Sequence, residues 1–273
     1  MPPAAYLDMY EEGDLPMPVV AEWAQRFEDW PYALRARYHH NLQMTERETR
    51  RALRGFYAQC TYIDHQIRLL IGVLREDREL DNTVLMFTSD HGDMLGQHRL
   101  WSKPPLYDAA AAVPLILVPP ADDQRVGHHR VDNRLAGLRD VMPTLLDLCA
   151  IDCPDTVERQ SLVGDARRSS LHAEAFEGDL AIRMLRDERY KLIWYPVGNR
   201  VQLFDMERDP AEVDDLSGDP GHADALERLS GELVDHLYGS DLAWTADGRL
   251  LGEPDREFEI PPDRGLHAQR GWR

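Results

Sequence analysis

The sequence predicts an α/β layer fold with a smaller antiparallel sheet toward its C-terminus, and three observations carry that expectation. From Thr45 to Asp77 the apolar residues Leu53, Phe56, Tyr57, Cys60, Ile63, Ile67, Leu70, Ile71 and Leu74 recur at three and four, the period of an amphipathic helix. Two continuous apolar runs, TVLMFTSD from Thr83 and VPLILVPP from Val113, are too short for helices and read as strands buried on both faces. Three further runs, AIRMLRD, RYKLIWYP and RVQLFDM, are joined by tight turns and read as an antiparallel meander. Helix, strand, loop and strand in succession is the rhythm of an α/β layer.

Taken in order, residues 1–45 are Pro-rich, charged and aromatic without clear periodicity, and read as an ordered but irregular arm. Thr45 followed by Glu48 is a capping-box pattern for the long helix. VDNRLAGLRDVMPTLLDLCAI supplies a further helix, roughly Leu138 to Cys149, before the turn at Pro154. Around Arg159 to Arg168 the texture becomes polar and Gly-containing. That places a boundary between an α/β core over 1–160 and a subdomain over 161–273, the latter comprising the meander, a helix and a tail. The helix is marked by Leu226, Leu229, Leu233 and Leu237 on one face, and the tail, EIPPDRGLHAQRGWR, is basic and irregular.

Composition narrows the function. The 273 residues are 43% apolar, enough for a sizeable core, and carry a net charge of −18 from 49 acids and 31 bases. Such a field repels a phosphate backbone, which argues against nucleic acid as a partner. Cys60, Cys149 and Cys153 make no even disulfide framework, and one C-x3-C pair without a second argues against zinc. No apolar run reaches the roughly 20 residues of a membrane span. The opening MPPAAYLDMYEEGDLPMP has no apolar signal core, so a cytoplasmic location is the default expectation.

The chemistry concentrates in TSDHGDMLGQHRLWSKPPLYD, Thr88 to Asp108. In an open α/β sheet, ligands gather beyond the carboxyl ends of the strands, where Asp90 and His91 stand. Gly92 then lets the backbone turn away. An adjacent carboxylate and imidazole can share one divalent cation if other groups complete its shell, although an Asp-His-Gly by itself is more often only a turn. Lys103 changes that balance, because a flexible ammonium beside a metal suits a tetrahedral anion; alone, a loop lysine is solvent decoration. His39, His40, His128 and His129 read as surface or satisfied groups, and Arg200 as a turn residue able to lean over a pocket.

The combined pattern T-S-D-H-G-D-x-x-G-x-H-x-x-W-x-K, then an aromatic, an acid and V-P-L-I, resembles the sulfatase family of the alkaline-phosphatase-like superfamily. FYAQCTYIDHQI, DVMPTLLDLCAI, YLDMYEEGDLPMP and RYKLIWYPVGNRVQLFDMERDPAEVDDL extend the resemblance over nearly the whole chain, read as the C-terminal part only of such a protein. The resemblance implies an alkaline-phosphatase-like sandwich, with a partial central sheet flanked by helices and a small C-terminal antiparallel-sheet subdomain. Asp90 and His91 then resemble two ligands of a catalytic divalent cation, calcium being the family's common choice and magnesium or manganese remaining open. Lys103 resembles the lysine that contacts the sulfate oxygens and the leaving group. His98 falls on a position with a supporting or a catalytic role, and Trp101 and Tyr107 on packing positions.

One element of the family pattern is missing. Its nucleophile is a formylglycine made within C/S-x-P-x-R, and none of the three cysteines opens that motif. Ser102-Lys-Pro-Pro-Leu comes near but ends in Leu106 where arginine is required. The expected function is a metal-dependent sulfuric ester hydrolase without its own nucleophile segment, acting on a small sulfated ester. The alternatives are a non-catalytic truncated fragment or binding module, and a phosphonate or phosphate monoester hydrolase. A companion N-terminal segment or a homo-oligomer is the partner this reading implies. A Ser-His-Asp esterase is disfavoured, since no G-x-S-x-G occurs.

Overall fold

A computed structural model describes residues 2–11, 14–103, 105–127, 129–157 and 160–260. His128 and the basic tail beyond Ile260 lie outside them. The chain runs through α1 (Ala4–Leu7), α2 (Tyr32–Tyr38), α3 (Glu46–Glu76), β1 (Leu85–Thr88), α4 (Asp108–Ala111), β2 (Leu115–Val118) and α5 (Val141–Leu148). It continues through β3 (Leu171–Ala175), β4 (Ile182–Arg186), β5 (Tyr190–Tyr195), β6 (Arg200–Asp205), α6 (Ala223–His236), β7 (Thr245–Ala246) and β8 (Arg249–Leu250). These elements form two compact units interleaved in sequence. The first takes Met1–Leu15, Arg50–Asp90 and Val113–Leu171; the second takes Pro16–Thr49, His91–Ala112 and His172–Arg273.

The long helix forms where its pattern predicts. At its start the Glu48 N–H donates to the Thr45 hydroxyl at 3.3 Å, and the Glu48 carboxylate accepts from the Thr45 N–H at 2.8 Å. This reciprocal cap satisfies donors that a helix start leaves open. In the first unit the N-terminal arm lies on α3. Tyr6 hydrogen-bonds His65 at 3.1 Å, Tyr10 meets Thr61 at 2.5 Å, and Arg54 donates to the Leu7 carbonyl at 3.0 Å. Leu53 is buried on α3, while Phe56, Ile63, Leu70 and Val73 are exposed.

Strands β1 and β2 pair antiparallel, Leu85 opposite Val118 and Thr88 opposite Leu115. Burial on both faces does not follow: Phe87, Ile116 and Val118 are 41%, 55% and 47% exposed. Among the described strands these two pair only with each other, and a two-stranded ribbon leaves part of each face to solvent. Sheet burial is found instead in the meander. Strands β3, β4, β5 and β6 form one sheet in that order, with Arg183 opposite Trp194 and Tyr190 opposite Asp205.

Its side chains alternate between two cores, as the period of two requires. Ile182, Met184, Ile193, Tyr195 and Phe204 pack with Trp30, Leu34, Tyr38, Met94, Leu100 and Tyr107. Leu185, Leu192, Trp194 and Leu203 pack with Leu229, Leu233 and Leu237 of α6 and with Trp244. The loops 16–49 and 91–112 are therefore one layer of the second unit, and α6 is the other. A short hairpin, β7 with β8, follows. Among the described residues no helix is long and apolar enough to cross a membrane.

Candidate functional site

The candidate site begins two residues beyond β1. Asp90, exposed, is the last residue of the first unit, and His91, half-buried, is the first of the second. The His91 Nδ1 lies 2.7 Å from the Gly92 carbonyl oxygen. A ring nitrogen beside a carbonyl carries the hydrogen, which makes Nε2 the lone-pair nitrogen, the tautomer that ligates metals. Gly92 serves closeness more than turning. Its N–H donates to the Ala110 carbonyl at 2.8 Å, and a Cβ there would overlap the Ala109 carbonyl oxygen.

The next ten residues form a tightly closed loop. Asp93 Oδ1 accepts from the N–H of Leu95 at 2.9 Å and of Ser102 at 3.1 Å. Inside it the Gly96 N–H donates to the Leu100 carbonyl at 2.8 Å. Leu95, His98, Arg99 and Ser102 all take left-handed φ values, 49°, 53°, 62° and 74°. Such values are costly for residues with a Cβ and persist only where the surroundings over-determine them. Lys103 follows directly, with its side chain exposed.

His98 is the main surrounding constraint. It has no solvent exposure. Its Nδ1 accepts from the Ala21 N–H at 3.3 Å, and its Nε2 donates to the Ala211 carbonyl at 3.0 Å. Trp23 and Tyr107 flank the ring at centroid distances of 4.8 and 5.6 Å. Burial pushes its pKa down to about 4, so the ring is neutral. Both nitrogens serve backbone groups, and the residue holds the loop.

A second anchor follows Lys103. Tyr107 is fully buried; its hydroxyl donates to Gln202 at 2.6 Å and sits 2.9 Å from the Tyr195 hydroxyl. Asp108 opens α4, with one carboxylate oxygen 2.8 Å from Lys191 Nζ and the other 2.7 Å from an Arg186 guanidinium nitrogen. Burial pushes the Asp108 carboxyl up, but Lys191 and Arg186 together hold it below its ordinary value. Lys191, at 0% exposure, also meets Glu212 at 2.8 Å. Burial raises the Glu212 pKa against the pull of Lys191.

Nothing in the local sequence marks a role for Asp93, Lys191 or Glu212. The one available signal was a lysine among the apolar residues of RYKLIWYP, where a solvent-facing position would leave it unremarkable. Arg200, read as able to reach a pocket, is exposed at the start of β6. Among the described residues no group of three or more His, Cys, Asp or Glu side chains could hold a metal ion. Asp90 and His91 by themselves offer a carboxylate oxygen and an imidazole nitrogen, donor types that divalent cations accept.

Comparison with known proteins bears on the whole arrangement. Residues 20–151 match the family described as Sulfatase, and residues 96–238 match N-sulphoglucosamine sulphohydrolase, C-terminal. The expectation that only the C-terminal part of such a protein is present is thereby corrected, because a catalytic-domain match and a C-terminal match both fall on this chain. It is 31% identical over 256 residues to an arylsulfatase of Clostridium perfringens, covering 92% of this chain and 53% of that protein. It is 33% identical over 189 residues to a choline-sulfatase of Rhizobium meliloti, covering 66% of this chain and 36% of that one. A phosphonate monoester hydrolase from Silicibacter pomeroyi has a similar structure, with a TM-score of 0.70 and 26% identity over 89% of this chain and 54% of its own. The chain thus spans about half or less of the length of these relatives.

Proposed function

This chain belongs to the sulfatase family, with its α/β, alkaline-phosphatase-like fold, and from that premise we propose that residues 90–108 form the cation-binding and anion-binding part of a sulfuric ester hydrolase. The observation that carries the reading is the closed, strained loop that presents Lys103 a short way beyond Asp90 and His91. A loop held that firmly lowers the cost of placing an ammonium against a developing negative charge. Asp90, through its carboxylate, and His91, through Nε2, are the proposed holders of a divalent cation, calcium first, with magnesium or manganese as alternatives. Lewis-acid polarisation of an ester's anionic oxygens is the chemistry such a cation supplies when bound. Lys103 would contact the same anion from its leaving-group side. His98 takes the supporting role.

No C/S-x-P-x-R occurs among the 273 residues, so no covalent step is assigned to this chain. Turnover of a small sulfated ester would need a nucleophile supplied from outside these residues. A phosphonate or phosphate monoester is the second substrate class, favoured by the similarity to a phosphonate monoester hydrolase. A binding module without turnover is the reading that remains if no nucleophile can be supplied.

The metal half of the proposal is tested by titrating the chain calorimetrically with calcium and with manganese. Weak binding, lost in the Asp90→Ala, His91→Ala double variant, is expected. Binding tighter than micromolar that survives both substitutions would move the site elsewhere. The catalytic half is tested with 4-nitrophenyl sulfate and a phenyl phosphonate ester. The chain alone should leave both intact. Mixed with a segment carrying C-x-P-x-R, made in a host that oxidises its cysteine, it should hydrolyse at least one. Lys103→Ala should then lower kcat/KM roughly ten- to a thousandfold, the range for one charge-stabilising contact in a preorganised site. Equal rates for both forms would reduce Lys103 to a surface lysine.

A further inference from the structure

We infer that Lys191 and Glu212 are positioning residues for Lys103: this buried pair, Lys191 on β5 and Glu212 on the segment after β6, sets where the 93–108 loop stands. The inference rests on the role proposed for Lys103 and goes beyond it, because it assigns a task to residues outside the 90–108 stretch.

Lys103 lies midway between two anchors, His98 and Asp108, and both end on the same short segment after β6. The Ala211 carbonyl accepts from His98 Nε2 at 3.0 Å. The Glu212 carboxylate accepts from the Asp108 N–H at 2.7 Å and meets Lys191 Nζ at 2.8 Å. The Glu212 carbonyl accepts from Trp23 Nε1 at 3.1 Å, and Trp23 stacks on Tyr107 at 5.1 Å with planes 20° apart. Lys191 closes the circuit by meeting the Asp108 carboxylate at 2.8 Å. Side chain and backbone of Glu212 therefore both serve the lysine loop or the aromatic ring that covers it. Its φ of 57° is left-handed, a strain that these contacts hold in place.

Energetics point the same way. Removing an ammonium and two carboxylates from water costs about what their attraction returns, so a buried cluster of this kind adds little net stability. It does select one arrangement, since any shift of the loop would leave a charge buried without its partner. The Arg186 contact at 2.7 Å leaves Asp108 a partner if Lys191 is removed, which separates loop placement from survival of the fold.

Two variants of the full chain test this. Glu212→Gln keeps the volume but removes the charge and cannot accept on both arms. Lys191→Met combined with Glu212→Leu replaces the pair by apolar groups and guards against a variant that fails to fold. In both, amide hydrogen exchange at Met94, Gly96, His98 and Leu100 should speed up by about tenfold or more, as for local opening. Exchange at Leu192 in the sheet should rise less than in the loop for Glu212→Gln, which leaves a buried charge short of a partner, and in the double variant both it and the urea midpoint should hold. Unchanged loop exchange, or acceleration shared equally by loop and sheet, would overturn the inference. Inorganic sulfate provides the functional readout. Glu212→Gln should weaken its binding by about tenfold in the wild-type background and not further in Lys103→Ala, the non-additivity of groups acting as a unit. Additive losses would show Glu212 acting independently of Lys103 and overturn the inference. If the wild type bound no sulfate, the proposed function would fail while the exchange measurement still decided the positioning role.

Discussion

His98 ties its protonation to the stability of the loop it holds. Its folded pKa of about 4 lies below the ordinary 6.5 because the ring is buried. Between those values the unfolded chain binds the proton and the folded chain does not, so stability rises with pH there and is lost as pH falls from about 6.5 toward 4. The loss is up to roughly 3 kcal/mol from this group. Urea titrations at pH 7 and pH 4.5 should show a larger drop for wild type than for His98→Gln; equal drops would refute the assignment. Gly92→Ala is expected to cost about 1–3 kcal/mol by overpacking, since a Cβ would meet the Ala109 carbonyl. An unchanged urea midpoint would count against that close approach. Asp90, His91, His98 and Lys103 can be proposed from the sequence because their types and spacing fall within one short stretch; the structure adds the backbone partners that make His98 a holder of the loop. Lys191 and Glu212 cannot be so proposed, since their partners lie 83 and 104 residues away and no local pattern marks a charge that folding will bury.

At the scale of elements, the long helix and the meander were legible from period and turns, and the layers around them were not. Apolar run length signals that a strand is covered but not by what, so β1 and β2 read as the core while the wider sheet read as an accessory. In the structure Leu192, Trp194 and Leu203 face α6, and that contact depends on residues far apart in the chain. Leu233, at 0% exposure in α6, gives the test. Leu233→Ala should destabilise by about 2–5 kcal/mol through lost transfer energy and a residual cavity. A loss under about 1 kcal/mol would mean that α6 does not form a true layer on the sheet.

For the whole molecule, a net charge of −18 coexists with exposed Leu70, Val73, Phe87 and Ile116. Like charge keeps copies apart at low ionic strength, and salt shortens the reach of that repulsion. Light scattering should therefore show association that grows as salt is raised from 0.01 M to 1 M, where the screening length falls from about 30 to 3 Å. A monomer at both ends of that range would show that the apolar side chains are too scattered to adhere.

The interleaving of the two units has a consequence on the ribosome. Trp30, Leu34 and Tyr38 are made early, yet the strand residues that cover them, Ile193, Tyr195 and Phe204, are made some 160 residues later. At ordinary translation speeds that is a wait of roughly ten to thirty seconds. During it the partners of Trp30, Leu34 and Tyr38 that become available are those of the 94–110 stretch, Met94, Leu100 and Tyr107 among them, and the face the strands will cover stays open. A newborn chain therefore cannot complete this core until β4 to β6 have emerged.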